Sequence, residues 1–529
     1  VTYLTRSLAI GCSLLALSAC GPDEIASPGS GGTVIINPPA TPAPSPAPTP
    51  APTPGTGVTP ASGCPTIADT QGLADEGTIT GPTGSYRVCS LPPRINASSQ
   101  LPYVAGVLYR MNGRVDVGTD GGPAADASDG QSDTNVTLTI DPGVIIYSAG
   151  ESFLNVNRGN RISAVGTATR PIIFTSRDNV VGRNTDASSG QWGGVVLSGR
   201  APVTDCEASG ADNGSVQCER QVEGAATPAF FGGATPNDNS GRLSYVQLRF
   251  SGFTLTGGSE LQSLTTGGTG SGTQFDHIMS FNSSDDGMEL FGGLVNMKHL
   301  IVVGAEDDSI DTDTGVKANL QYVIVAQNTN VHDTIIEADS AANRDFVPRQ
   351  NTRIANFTFL TNGTAIDGGA SLRLRGGTDF ALVNGIIVSP QDECLRLEHA
   401  ETVQGPNAAL DELGVPIFQS VVMQCSSTPF IGSSGPSAAD VQSIFTSGSS
   451  NNSFTYTPTL TNLFINGANE SAVVASNPQA LSSFFDNTSY IGAVRNAEDT
   501  WYAGWTCNSA TANFGANNTG LCTSLPVYQ

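Results

Sequence analysis

Basic residues are scarce in this chain. Only 23 Lys and Arg stand against 47 Asp and Glu, for a formal net charge of −24. No basic patch or stripe breaks that excess, which excludes a nucleic-acid partner on electrostatic grounds. Cysteines never occur as C-x-x-C or at metal-finger spacing, so zinc-finger and dithiol redox chemistry are removed. Helical periodicity is missing from the body of the chain, which argues against a bundle. Ser or Cys nucleophile motifs and a phosphate-binding loop are absent too. The many Gly-x-Gly strings are turn chemistry.

Long apolar runs are also lacking, with one exception. Leu8 to Leu17 follow Arg6 and close on Leu17-Ser18-Ala19-Cys20. The run is too short to span a bilayer as a stable helix. Ending it in small residues and Cys makes a lipobox, so residues 1–19 read as a lipoprotein signal peptide. The Cys20 thiol then takes a diacylglyceryl group, and its freed amine an acyl chain such as palmitate. Two or three chains, at roughly 0.8 kcal/mol per buried methylene, hold a protein on a membrane stably. Gly21 rather than Asp follows the Cys, and by analogy this directs the lipid anchor to the bacterial outer membrane. Residues 20–62 form the linker, in which Asn37 to Gly55 is a Pro-Ala-Thr tract suited to extended polyproline II.

What is plentiful in the body is glycine, with 61 residues in 529, while only 13% are charged. That composition suits a solenoid, which grows without thickening its core. Eight cysteines beyond the signal and anchor fall into near neighbours. In an oxidising compartment local closure favours Cys64 with Cys89, Cys206 with Cys218, Cys394 with Cys425, and Cys507 with Cys522.

From Val136 the chain repeats a short β-branched run, a Gly/Asn/Asp turn and a second short run. The segment FDHIMSFNSSDDGMELFGG from Phe275 overlays MKHLIVVGAEDDSIDTDTG from Met297. This pairs His277 with His299, Asp285 with Asp307, Asp286 with Asp308, and Glu289 with Asp311. Further copies start at Leu320, Ile354 and Phe380. A repeat of about 22 residues fits one coil of a parallel β-helix, whereas a propeller blade needs about 40. The expected fold is an all-β, right-handed parallel β-helix stapled by disulfides. Residues 63–135 read as an N-terminal cap region, 136–400 as the β-helix core, and 401–529 as C-terminal coils and cap.

Stacked coils place equivalent side chains about 4.8 Å apart in columns. Met288, Ile310, Ile336, Leu372 and Leu395 are expected inward, and the next residues outward: Glu289, Asp311, Glu337, Arg373 and Arg396. Two positions on stand Phe291, Asp313, Asp339, Arg375 and Glu398. One turn earlier stand Asp285, Asp307 and Asp333. Like charges directly opposite on neighbouring strands repel, so a cation, protonation or the adjoining arginines must offset them. Ca²⁺ suits such a site, accepting six to eight oxygens in loose geometry. Against this stands a ladder in which Arg373 and Arg375 merely neutralise Glu337 and Asp339. Alternatively, Arg373, Arg375 and Arg396 bind an oxyanion bidentately. His277 and His299 repeat in strand register and read as structural. His332 and His399 are expected exposed beside the ionic columns.

Several phrases together carry a resemblance: YVQLRFSG, LTTGGTGSGTQFDHI, DDGMELFGG, DDSIDTDTG, IIEADS and FFDNTSYIGAV with GWT. Over roughly Val136 to Thr506 the chain resembles a bacterial family of exported β-helix lipoproteins, often associated with TonB-dependent outer-membrane receptors. The resemblance implies an accessory or binding lipoprotein with such a receptor as partner. It supplies no established catalytic residue. Asp285-Asp286 is similar to the paired aspartates of polygalacturonases, yet the Gly-His-Gly and Arg-Ile-Lys of that family are missing. A polysaccharide lyase or hydrolase using the acidic columns, or a surface adhesin, are the alternatives.

Overall fold

The computed structural model describes residues 57–528 apart from 226, 256–258, 330, 341–343, 367–368 and 449–450. The signal peptide, Cys20 and the Pro-Ala-Thr tract lie outside the described residues. Among those described, no helix is long and apolar enough to cross a membrane.

Among the described residues the strands stack as a parallel β-helix with a 15-stranded first sheet and an 11-stranded second sheet. In the second sheet Met288, Ile310, Ile336, Leu372 and Leu395 occupy one register column and point inward. Alternation along each short strand sends the next residue outward. The aliphatic column shares one continuous core with the first-sheet column Met297, Leu320, Ile354 and Leu382. Each such side chain, fully buried, contributes roughly 1.5–3 kcal/mol. Parallel pairing already joins Gly84–Ser90 to Val107–Arg110, and it continues to the rung formed by Ile417–Cys425 and Phe430–Ser433.

The first sheet turns a corner within single strands. In an early coil two strands, Arg161–Val165 and Ile172–Ser176, both pair with the one strand Gly241–Arg249. From there each coil merges the two faces through one left-handed residue: Tyr245, His277, His299, Tyr322, Asn356, Asn384 and Ser420, with φ of 52–61°. The ladder skips these residues on both strands without a change of register, as at Ser244↔Asp276 and Val246↔Ile278, and the left-handed residue bends each strand at the same place.

Both ends are covered, as exposed strand edges require. Ala74–Gly81 folds back antiparallel on Gly84–Ser90. At the other end the helix Ala438–Ser447 starts at a Ser437/Asp440 capping box and buries Val441 and Phe445 against the last rung. The chain then returns along the outside of the first sheet as a long strap. Asn384 Nδ2 donates to Ser476 O at 2.9 Å and Asn356 Nδ2 to Tyr490 O at 2.9 Å. Farther on, Arg249 Nη1 donates to Cys522 O at 2.9 Å. Phe464, Tyr502, Trp505 and Phe514 of the strap cover Phe250, Phe281 and Val303 of the sheet. The cysteines pair as Cys64–Cys89, Cys206–Cys218, Cys394–Cys425 and Cys507–Cys522. The third ties adjacent rungs, and the fourth staples the strap.

Candidate metal centre

The outer face of the second sheet carries the charged columns. Glu289, Asp311, Glu337, Arg373 and Arg396 stack in consecutive rungs. The turn entering each strand adds an aspartate pair whose members do different work. Asp286 is buried and its Oδ1 accepts from the Asp308 backbone N–H at 3.0 Å. Asp308, equally buried, accepts from Thr334 N at 2.7 Å and Thr334 Oγ1 at 2.6 Å. Each is a strut from its own rung to the next. Asp285 and Asp307 lean outward instead.

The result is an open trough of about 580 Å³ lined by ten carboxylates: Glu223, Glu260, Asp285, Asp286, Glu289, Glu306, Asp307, Asp308, Asp311 and Glu337. Three groups bring ligand oxygens within 4.8 Å of one another: Asp285/Asp286/Asp307, Asp286/Glu289/Asp311 and Asp307/Asp308/Asp333. Burial, reinforced by Asp307 and Glu260, pushes the Asp285 carboxyl up to about 7. Burial also raises Glu289 and Asp311 well above the carboxylate range, with Asp311 and Glu337 respectively as the nearest repelling charges. Asp311 Oδ1 is sealed from solvent. An all-oxygen donor set with this density of negative charge fits Ca²⁺, a hard cation with flexible coordination.

Not every expected ligand joins the trough. Asp313 and Asp339 lie one strand period farther along. Their Oδ1 atoms accept from the next backbone N–H, of Thr314 and Ser340. The arginines end the acidic column. Arg373 lies 3.5 Å from Glu337 and 3.4 Å from Glu398, and Arg375 lies 2.5 Å from Glu337 and 3.2 Å from Asp339. Arg396 lies 3.7 Å from Glu398. His332 departs from expectation. It is fully buried, drawn inward between Asn328 O, 2.7 Å from Nδ1, and the buried Asp392, 3.7 Å from Nε2. His399 receives the Gly376 N–H at Nδ1, at 3.1 Å.

Reading the repeats alone missed Glu223 and Glu260, which enter from insertions between strands, and Glu306, which stands in the repeat turn where the preceding copy has Ser284. Asp286 and Asp308 carried a visible signal, since they repeat beside Asp285 and Asp307. A larger cleft of about 810 Å³ lies at the first-sheet strand ends Ala326, Leu360 and Val388, is lined also by Leu463, Ala510 and Thr511 of the strap, and shares Glu306 with the trough. Its walls mix aliphatic residues, amides and hydroxyls.

A family model for a pectate-lyase-like β-helix domain matches residues 129–506. The chain belongs to that family. No curated protein and no solved structure matches it. Membership in the pectate-lyase-like β-helix family accounts for the ladder and its columns. It is equally compatible with a binding surface protein and with a polysaccharide-cleaving one.

Proposed function

We propose that this protein is a non-catalytic binding lipoprotein of the bacterial outer membrane. Its cation-loaded trough captures a ligand for a TonB-dependent receptor. The observation that carries this reading is the trough itself: among the described residues, ten carboxylates gather there without a lysine or arginine in the lining. Such a surface is stable when cations bind or protons remain on, and Ca²⁺ offers the neutral-pH solution. Glu223, Glu260, Asp285, Asp286, Glu289, Asp307, Asp308 and Asp311 are the residues placed to hold it. The lipobox ending at Cys20 supports the anchor, and the resemblance to exported lipoproteins supports the receptor. Affinity capture from Ca²⁺-containing solubilised outer membranes tests the partner. Recovery of a TonB-dependent receptor that chelator releases is expected, and recovery independent of Ca²⁺ argues against the trough. Cys20→Ser should leave the protein soluble or uncleaved at the inner membrane. Outer-membrane fractionation like wild type would refute the anchor.

One observation favours a second reading. An Asp285 carboxyl poised at about 7 beside other carboxylates has the character of a general acid. Incubation with a polyuronide and neutral-glycan panel decides it, because new reducing ends or unsaturated products require catalysis.

A further inference from the structure

On the first sheet, away from the trough, four rings stack in consecutive rungs: Tyr245, His277, His299 and Tyr322. All four occupy the left-handed corner position. Other residues at that corner bond to the strap or its side chains. Asn356 and Asn384 donate to its carbonyls, Ser420 Oγ donates to Val474 O, and Tyr322 Oη reaches Asp486 Oδ2 at 3.2 Å. The two histidines turn the other way. Their Nδ1 atoms converge on one carboxylate, with His299 at 2.7 Å from Asp276 Oδ1 and His277 at 3.0 Å from Asp276 Oδ2. His277 is buried, and its Nδ1 lies outside hydrogen-bond geometry despite that short distance. Trp501 and Trp505 wall the rings on the strap side. The Asp276 side chain keeps 38% exposure and leaves the site open to solvent.

We propose that Asp276, His277 and His299 form a transition-metal site selective for Zn²⁺ or Cu²⁺ over Ca²⁺. Two imidazole nitrogens and a carboxylate oxygen are a borderline-soft set that favours these metals, whereas Ca²⁺ takes oxygens. The three ligand atoms lie within 4.8 Å of one another. Binding requires each Nδ1 to present its lone pair, with the ring proton carried at Nε2. The open side of Asp276 leaves positions for water or an exogenous ligand. Metal here would also pin two adjacent rungs beneath the strap.

The chain has only 4 histidines, which makes the test clean. Metal-free full-length protein, held in millimolar Ca²⁺ to fill the trough, is titrated with Cu²⁺ and followed by electron paramagnetic resonance. Zn²⁺ calorimetry runs in parallel. The expected result is one equivalent bound, hyperfine coupling to two nitrogens, and no competition by Ca²⁺. His277→Gln and His299→Gln should each weaken binding at least tenfold and remove one nitrogen coupling, while His399→Gln changes neither. Asp276→Asn, which keeps the side chain's shape, supplies a ligand variant should the buried His277→Gln fail to fold, and it too should weaken binding. Absence of stoichiometric binding, competition by Ca²⁺, or unchanged coupling in a folded His299→Gln protein would overturn the site.

Discussion

At the scale of single residues, the rung spacing leaves some side chains no latitude. Gly385 pairs with Phe357 across the first sheet, and a Cβ on it would lie 1.8 Å from the Phe357 ring. The ring is fully buried in the close-packed core. Gly385→Ala should therefore destabilise by about 1–3 kcal/mol, the usual cost of overpacking, read by denaturant unfolding. Phe357→Leu in the same protein should recover part of the loss. The arginines raise a different question. Arg373 lies between Glu337 and Glu398 with its side chain 26% exposed, so Arg373→Ala should cost about 1 kcal/mol, the upper end for partly exposed pairs. Adding Glu337→Gln should restore stability if neutralisation is the role. A single variant that melts like wild type would move the arginine to ligand binding.

At the scale of the element, the acidic strands of the second sheet make stability depend on pH and cation together. Asp285 and Asp313 have carboxyls pushed up to about 7, both chiefly by burial. Above the ordinary carboxylate value of about 4, the unfolded chain has released protons that the folded chain still holds. The unfolded state then binds fewer protons, so stability falls as pH rises from about 4 to about 7. Metal-free protein is expected to melt lower at pH 8 than at pH 5. Ca²⁺ should reverse the loss, giving about 2.7 kcal/mol at a hundredfold excess over Kd, with the larger increment at pH 8. Calorimetric melts in millimolar Ca²⁺ and in chelator check both signs. Equal melting in the two would leave the columns to protons and arginines.

At the scale of the whole molecule, the solenoid is closed along its length by a segment from its far end. The strap covers Phe250, Phe281, Met279 and Ile301 with its own aromatics, and the buried Arg249 and Asn179 both donate to the carbonyl of strap residue Cys522. A chain ending at residue 448 would expose that apolar column and strip Arg249 of its carbonyl partners Cys522 O and Ser524 O. The truncated protein should bind hydrophobic dyes and be cut by protease within the first sheet. Resistance equal to that of the full chain would make the strap dispensable.

The repeat of Asp285-Asp286 at Asp307-Asp308, and the alternation through Met288-Glu289 and Ile310-Asp311, were legible because a β-helix writes its geometry locally. One coil, one phrase, one register: inward and outward faces follow from a period of two, and the charged columns follow from stacking equivalent positions. Near-neighbour cysteines were legible for the same reason. The tertiary structure alone decided what comes from outside that period. Glu223 and Glu260 reach the trough from insertions whose paths no periodicity encodes. The burial that raises the carboxyl pKa values is a property of the walls around them, not of the strands that carry them. His277 and His299 read as ordinary register residues, yet a left-handed corner turns both rings toward Asp276. The strap, too, is invisible in the repeat, because its partners lie far away in sequence, 54 residues for Ser420 with Val474 and 273 for Arg249 with Cys522, and only the closed fold brings them within hydrogen-bond distance.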